Sequence, residues 1–212
     1  MTQTLTAQDL FRAAYENRYT WDPDFPGYQA NVTLHDGDAT HQGHIQVNPD
    51  MSFEVFNIPD EMAQRMVKSQ LWEMTIHRVR RSFAETHGDN TFELGATDET
   101  GAVEILVGGA SMGNRYKVRD NAVCFVHRQI RDVIVNIHTF DKQPTETGYL
   151  STGYRSVYLD PTTLQPKDAE TVFTDAFENV GGYFVLSRRT IEETKAGVVQ
   201  TTQLQFSSFK LL

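Results

Sequence analysis

The stretch that decides the fold runs from Tyr183 to Leu211 and reads YFVLSRRTIEETKAGVVQTTQLQFSSFKL. It contains two long runs typical of strands, Tyr183 to Glu193 and Val198 to Leu211, joined around Ala196-Gly197. Strands in globular proteins usually hold about five or six residues. Because long, twisted antiparallel strands curl, these two predict a strongly curved sheet with a concave face that other side chains must fill.

The strand pattern extends upstream from this stretch to Gly88, with short connections between successive runs. The predicted strands are Thr91 to Ala96, Val103 to Val107, Arg115 to Arg119, Ala122 to Ile130, Val133 to Phe140, Tyr154 to Asp160 and Glu170 to Phe177. Short connections favour antiparallel neighbours, because a parallel crossover needs about a dozen residues or more.

Nearer the N-terminus, the residues from Tyr28 to Leu34 alternate between apolar and polar, which indicates a half-buried strand. Asp36-Gly37-Asp38 is a turn signal, and His41 to Val47 is the predicted return strand of a hairpin. We therefore expect one domain over residues 1–212 of the mainly β (α+β) class. The expected architecture is a strongly curved antiparallel sheet or half-barrel, and the alternative is a closed lipocalin-like barrel.

Two helical segments accompany the strands. Thr6 is a good N-cap for a helix over Ala7 to Tyr19. A mid-chain segment from Asp60 to Phe83 is also helical in pattern but does not keep one phase. Trp72, Ile76, Val79 and Phe83 form one stripe, whereas Met62, Met66 and Val67 point elsewhere, so we expect a bend near Ser69.

Composition bounds the functional class. The 212 residues carry a formal net charge of −9, which argues against sequence-independent binding to nucleic acid. Cys124 is the only cysteine, so no intramolecular disulfide forms. Met1 to Asp9 lacks the basic and apolar regions of a signal peptide, and there is no run of about 18 apolar residues. These features predict a cytoplasmic protein that is not an integral membrane protein.

Aromatic side chains give the candidate ligand-binding residues. The six candidates for lining a pocket for an apolar ligand are Trp21, Phe25, Tyr28, Trp72, Ile76 and Phe83. The alternative is that the same side chains seal the helices onto the sheet as ordinary core. Met62, Met66 and Met74 are adaptable and suit a surface that accepts varied apolar shapes.

A possible nucleophile lies in Gly109-Ala-Ser111-Met-Gly113, which fits the Gly-x-Ser-x-Gly pattern of a nucleophile elbow. That elbow needs a strand-to-helix turn, whereas Asn114 to Val118 alternates like a strand. His127 and His138 lie downstream as candidate bases. A loop between strands is the favoured interpretation, and a serine hydrolase that uses Ser111 is the alternative function.

Polar residues concentrate at the first hairpin, where His35, Asp36, Asp38, His41 and His44 could include metal ligands. Alternation places His41 and His44 on opposite faces of one strand, and Asp-Gly-Asp is common turn chemistry. We therefore interpret this hairpin tip as solvated and predict neither a metal nor a cofactor.

The mid-chain helix carries a basic run, Arg78, Arg80 and Arg81, close to Glu73 and His77. Such a run is usually a solvated face. Its alternative interpretation is a small docking patch for an acidic partner.

Several short segments resemble a known family of cyanobacterial and plastid proteins, domain of unknown function 3386. The resemblance lies in residues 11–21 (Phe11-Arg-Ala-Ala-Tyr-Glu-Asn-Arg-Tyr-Thr-Trp21), Phe25-Pro-Gly-Tyr28, Asn114-Arg-Tyr-Lys-Val118, Gly148-Tyr-Leu150, Ser156-Val-Tyr-Leu-Asp-Pro161 and Gly181-Gly-Tyr183. The resemblance implies a cyanobacterial-type cytoplasmic protein and brings no catalytic residues with it. The order of elements is also similar to the half-barrels of periplasmic lipoprotein carriers, which hold acyl chains or partner proteins.

From these features we predict a non-enzymatic binding or assembly protein. Its partner would be a hydrophobic small molecule or another protein, and not nucleic acid. The family resemblance further implies a link to the photosynthetic machinery.

Overall fold

The computed structural model describes residues 5–195 and 197–212, which form three helices and twelve strands. The helices are α1 (Ala7–Glu16), α2 (Glu61–Ile76) and α3 (Phe83–His87). The strands are β1 (Tyr28–Asp36), β2 (Ala39–Val47), β3 (Phe53–Phe56), β4 (Asn90–Thr97), β5 (Val103–Gly109), β6 (Arg115–Arg119), β7 (Ala122–Ile130), β8 (Val133–Thr145), β9 (Gly148–Leu159), β10 (Thr171–Val180), β11 (Tyr183–Lys195) and β12 (Val198–Leu211). The predicted mainly β fold, with an N-terminal helix and a mid-chain helical segment, is confirmed.

The twelve strands form one antiparallel sheet in the order β3-β2-β1-β12-β11-β10-β9-β8-β7-β6-β5-β4. β3 and β4 stand at the two ends of this order, so the described strands do not close on themselves. The alternative of a closed lipocalin-like barrel is therefore wrong. No helix in the described part of the chain is long and apolar enough to span a membrane.

Contacts divide the chain into two compact groups, which we name after their longest helices. The α1 group comprises residues 5–19 and 81–172, and the α2 group comprises residues 20–80 and 173–212 without residue 196. The single domain expected over residues 1–212 stays a prediction. Ala196, half of the predicted turn before β12, lies outside the described residues.

The α1 group has an aromatic core built on a well-capped helix. The Thr6 side chain accepts a hydrogen bond from the Asp9 backbone N–H, and the Asp9 carboxylate accepts one from the Thr6 N–H, a complete capping box. The helix ends at Glu16, earlier than the expected Tyr19. Its apolar side, including Phe11 and Tyr15, packs against buried side chains of β5 and β6 such as Ile105 and Tyr116.

The hairpin of β8 and β9 is longer than the sequence pattern indicated. The predicted strand Val133 to Phe140 stops where Asp141 and Lys142 begin, and the predicted strand Tyr154 to Asp160 starts after Gly153. In the structure the pairing continues to Thr145 opposite Gly148, with register shifts at Asp141. These register shifts let the strand pairing continue through residues whose sequence, taken by itself, is typical of a loop.

The α2 group places a helix on one face of a strand set that begins with β1 and β2. Tyr28, Ala30, Val32 and Leu34 are all buried, and the alternating residues of β1 face the other side. α2 is continuous from Glu61 to Ile76, so the bend expected near Ser69 is wrong. The break comes after Ile76 instead, and it leaves Val79 and Phe83 outside the helix.

Candidate functional site

The outer face of α2 is the strongest candidate site, because large apolar side chains stay in solvent there. The helix is capped by Asp60, whose carboxylate accepts a hydrogen bond from the Ala63 N–H at 2.8 Å. Its inner side buries Ala63, Val67, Leu71, Met74 and Thr75. On the outer side Met62 is 70%, Trp72 58% and Ile76 39% exposed.

Spacing puts these exposed side chains on one surface. Met62, Ser69 and Ile76 follow one another at intervals of seven residues, which nearly superimpose on a helix. Trp72 stands four residues before Ile76, so the two side chains are neighbours on the helix surface. We call Met62, Ser69, Trp72 and Ile76 the outer face of α2. Trp72 and Ile76 are two of the six predicted ligand-binding residues.

A buried ion pair fixes α2 on the strands below. The Arg189 guanidinium of β11 donates to both carboxylate oxygens of Asp175 on β10, at 2.8 and 2.7 Å. Its third nitrogen donates to Gln70 at 2.9 Å and to Glu73 at 3.3 Å, both on α2. The side chains of Arg189 and Asp175 are only 5% and 3% exposed. We call these four residues the α2 clamp, because a bidentate, desolvated pair fixes one geometry.

The clamp was not predicted from the sequence, although the pattern of charges on β10 and β11 indicates it. Arg189 is an even number of residues from Val185 and Ile191, so on a strand their side chains lie on the same face. Asp175 is likewise on the same face as Phe173. Two opposite charges at inward positions of successive strands predict a buried pair.

Trp21, Phe25 and Tyr28 form core in the α2 group rather than the wall of an open pocket. The Trp21 and Phe25 rings stack at 3.9 Å between centroids, and Tyr28 meets Trp21 edge-on at 6.2 Å. The Trp21 indole N–H donates to the Phe184 carbonyl oxygen at 3.1 Å. All three aromatic residues are at most 2% exposed, and burial raises the pKa of the Tyr28 phenol. This stack fills the space that a ligand would need.

Phe83 belongs to the α1 group and packs there with Phe11 at 5.6 Å and with Phe92 at 5.5 Å between ring centroids. It starts α3, where Ser82 and Glu85 form a second capping box. The role of the six residues in ligand binding stays a prediction. They separate into a buried stack, a core residue and the two exposed side chains Trp72 and Ile76.

Ser111 lies in the connection between two antiparallel strands, β5 and β6. Its backbone N–H donates to the Asn90 side chain at 2.9 Å, and Gly109 and Gly113 take positive φ angles of 74° and 92°. The predicted inter-strand loop is present, and strand β6 follows the serine where an elbow requires a helix. The candidate bases have other contacts, His127 with Asn136 at 2.7 Å and His138 with the Phe125 ring at 4.6 Å.

The first hairpin does not gather its polar residues into a metal site. His35 Nδ1 hydrogen-bonds Thr40 at 3.0 Å, and His44 Nδ1 hydrogen-bonds Asn31 at 2.9 Å. Over residues 5–195 and 197–212, no three His, Cys, Asp or Glu side chains are grouped so that they could hold a metal ion.

Comparison with known proteins identifies the family. The family model described as protein of unknown function (DUF3386) matches residues 2–212, so the chain belongs to the DUF3386 family. No curated protein of similar sequence was found.

Solved structures with some likeness cover almost the whole chain at low similarity. A LolA superfamily protein from Nitrosomonas europaea aligns with a TM-score of 0.35 and 12% identity, over 99% of this chain and 94% of that one. A proposed outer membrane lipoprotein-sorting protein domain from Vibrio parahaemolyticus gives 0.31 and 10%, over 96% and 91%. A DUF1329 family protein from Desulfovibrio piger gives 0.28 and 9%, over 97% and 91%.

Proposed function

We propose that this member of the DUF3386 family is a non-enzymatic binding protein that docks a protein partner on the outer face of α2. The observation that carries the proposal is the 58% exposure of Trp72 beside the 39% exposure of Ile76. Tryptophan is enriched at the centre of protein interfaces, where its large surface is desolvated on binding. A tryptophan and an isoleucine adjacent in solvent, on a helix whose opposite side is buried, are typical of a docking surface.

Charge indicates the chemistry of the partner. Residues 60–80 contain four Lys or Arg residues and three carboxylates, of which Asp60 caps α2, although the whole chain carries a net charge of −9. Glu73 is already bound to Arg189. Arg65 pairs with Glu61 at 3.0 Å, but both side chains are more than two thirds exposed, so this pair is weak and can exchange partners. The outer face of α2 therefore suits an apolar segment flanked by acidic residues.

A protein is a better occupant than an anionic bilayer. The net charge of −9 repels an anionic surface at long range, whereas an acidic peptide segment is attracted locally by Arg65 and Lys68. An apolar small molecule is also a less suitable ligand, because the stacked rings of Trp21 and Phe25 occupy the space that it would need. We further propose a cytoplasmic location and a link to the photosynthetic machinery, for which the family resemblance is the support.

Photo-crosslinking in the native host tests the proposal. Benzoylphenylalanine at Ser69 lies on the outer face of α2 and keeps Trp72 and Ile76, whereas the same group at exposed Gln42 on β2 is the control. We expect one discrete protein adduct from position 69, absent from position 42 and lost in Trp72→Ser/Ile76→Ser. The purified adduct partner should then bind the wild-type chain in isolation.

Equal adducts from both positions, or an adduct that survives the double substitution, would contradict partner docking at α2. The small-molecule alternative has its own test. If the native protein binds bis-ANS with about micromolar affinity, and fatty acids, tetrapyrroles or carotenoids raise its melting temperature, the occupant is an apolar ligand.

A further inference from the structure

A second surface of the α2 group, which shares no residue with the outer face of α2, is an open polar groove of about 510 Å³. It crosses four adjacent strands in the order β12, β1, β2 and β3, a width of about 14 Å at ordinary strand spacing. Its polar lining consists of Gln29, Asn31, His44, Gln46, Asn57, Ser208 and Lys210. These strand residues alternate with buried ones such as Ala30 and Ile45, so the groove lies on the sheet face opposite the core.

Two residues in a left-handed backbone conformation border the groove at its two sides. Ser208 has a φ of 56° inside β12, where the register between β1 and β12 shifts between Gln29 and Asn31. Asn57 has a φ of 60° just after β3. Non-glycine residues with this strained backbone conformation are concentrated at functional sites. β-bulges likewise re-aim side chains next to binding sites.

Hydrogen bonds hold the lining side chains in fixed positions. Asn31 receives a hydrogen bond at its Oδ1 from His44 Nδ1 at 2.9 Å and donates from Nδ2 to Ser208 Oγ at 3.3 Å. Gln29 Nε2 donates to Gln46 Oε1 at 2.8 Å. This pattern leaves the second amide hydrogens, the Ser208 hydroxyl hydrogen and the His44 Nε2 lone pair available to a ligand. The groove thus offers donors and acceptors side by side.

The lining is almost uncharged. Among the described residues that line the groove there is no carboxylate, and Lys210 is the single Lys or Arg. Sites for anions usually gather several cations or backbone N–H groups, and sites for apolar molecules need apolar walls. Four amides, a hydroxyl and an imidazole match a ligand whose groups also both donate and accept. Phe56, 42% exposed at the β3 side, adds an apolar surface for the C–H face of such a ligand.

We propose that this groove binds a neutral polyhydroxylated group, such as a mono- or disaccharide. The proposal does not depend on the docking surface at α2, because the two surfaces share no residue.

Side-chain amide signals in nuclear magnetic resonance test this directly. The ¹⁵N-labelled full chain is titrated with maltose, cellobiose and lactose to about 20 mM, enough to detect millimolar affinity. We expect the NH₂ signals of Gln29, Asn31 and Gln46 to shift together for at least one sugar. Asn31→Leu should weaken binding about tenfold or more, because it removes the central amide. Gln205→Leu, an exposed β12 position outside the lining, is the matched control and should bind like the wild type.

A second arm separates a free saccharide from a lipid headgroup. Phosphatidylcholine vesicles with and without a lipid that carries one hexose are tested for co-sedimentation with the wild type and Asn31→Leu. Binding in either arm that Asn31→Leu removes supports the proposal. No shift with any sugar together with no hexose-dependent sedimentation would overturn it, as would binding that Asn31→Leu leaves intact.

Discussion

Helices α1 and α2 each pack on strands of their own group, but they use their large apolar residues in opposite ways. α1 buries Phe11 at 1% and Tyr15 at 9% exposure, and its outer side carries the Arg12–Glu16 ion pair. α2 buries smaller side chains such as Ala63 and Val67, and it leaves Trp72 in solvent. The Phe11 ring stacks on Tyr116 at 4.4 Å, whereas α2 is anchored by the Arg189 guanidinium.

This difference distinguishes a helix whose large apolar side chains serve folding from a helix whose large apolar side chains serve binding. An ordinary helix directs its largest apolar side chains toward the core, because burial of a large side chain contributes about 1.5–3 kcal/mol. α1 follows this rule and needs no function beyond packing. α2 departs from it at Trp72 and Ile76, so these side chains contribute little to folding and are free to contact a partner.

The largest expected effect is loss of the α2 clamp. Asp175→Ala leaves the Arg189 charge buried without its carboxylate, which should lower the free energy of unfolding by about 3–5 kcal/mol in urea titrations. The control is Asp175→Leu combined with Arg189→Met, which replaces both charges by apolar groups and should lose far less. A loss below about 1 kcal/mol in Asp175→Ala would show that the clamp does not hold α2.

The two faces of α2 should respond differently to truncation. Leu71→Ala on the inner face should cost about 2–5 kcal/mol of unfolding free energy, because it opens a cavity in a 1% exposed site. Trp72→Ser/Ile76→Ser on the outer face should change it by about 0.5 kcal/mol or less. Equal losses for the two variants would remove the distinction between a packing face and a binding face.

Acid should act on the α1 group through His87. Desolvation, followed by the charges of Arg18 and Arg128, lowers the pKa of His87 to about 4 from 6.5. Between these values the unfolded chain binds a proton that the folded chain excludes. Stability is therefore complete above about pH 6.5 and decreases as the pH falls toward 4.

His87→Gln is the control for this titration. It should remove that part of the slope of unfolding free energy against pH, since glutamine binds no proton in this range. The same slope in wild type and variant would assign the acid sensitivity to other groups.

The smallest effect is expected at the β5–β6 loop. Ser111→Ala should change the unfolding free energy by about 0.5 kcal/mol or less, as for a surface loop position. A fluorophosphonate probe should not label the native protein. Labelling of the wild type that Ser111→Ala abolishes would instead establish the serine hydrolase alternative.

The strands were predictable because alternation has period two over long runs, as in β1 and β12. The side of α2 that faces the core was not predictable. The spacing of Trp72, Ile76, Val79 and Phe83 favours one apolar stripe, but the helix ends at Ile76 and its buried stripe is Val67, Leu71 and Met74. Tertiary contacts, here the clamp from Arg189, decide which side of such a helix faces the core.

The candidate surfaces were predictable only in part. Trp72 and Ile76 were named from sequence as ligand-binding residues, which stays a prediction. The polar groove was missed, because Gln29, Asn31 and Ser208 are unremarkable polar residues until a bulge and four paired strands bring them together.

The central claim is that the outer face of α2 serves binding and not folding. The most direct measurement is the dissociation constant of the partner captured at position 69, for wild type and for Trp72→Ser/Ile76→Ser. The matched control is Met112→Ser/Leu164→Ser, two side chains that are 79% and 58% exposed elsewhere. We predict affinity weakened by about 100-fold in the α2 variant and unchanged in the control, as for loss of an aromatic hot spot. Wild-type affinity in the α2 variant would contradict the claim.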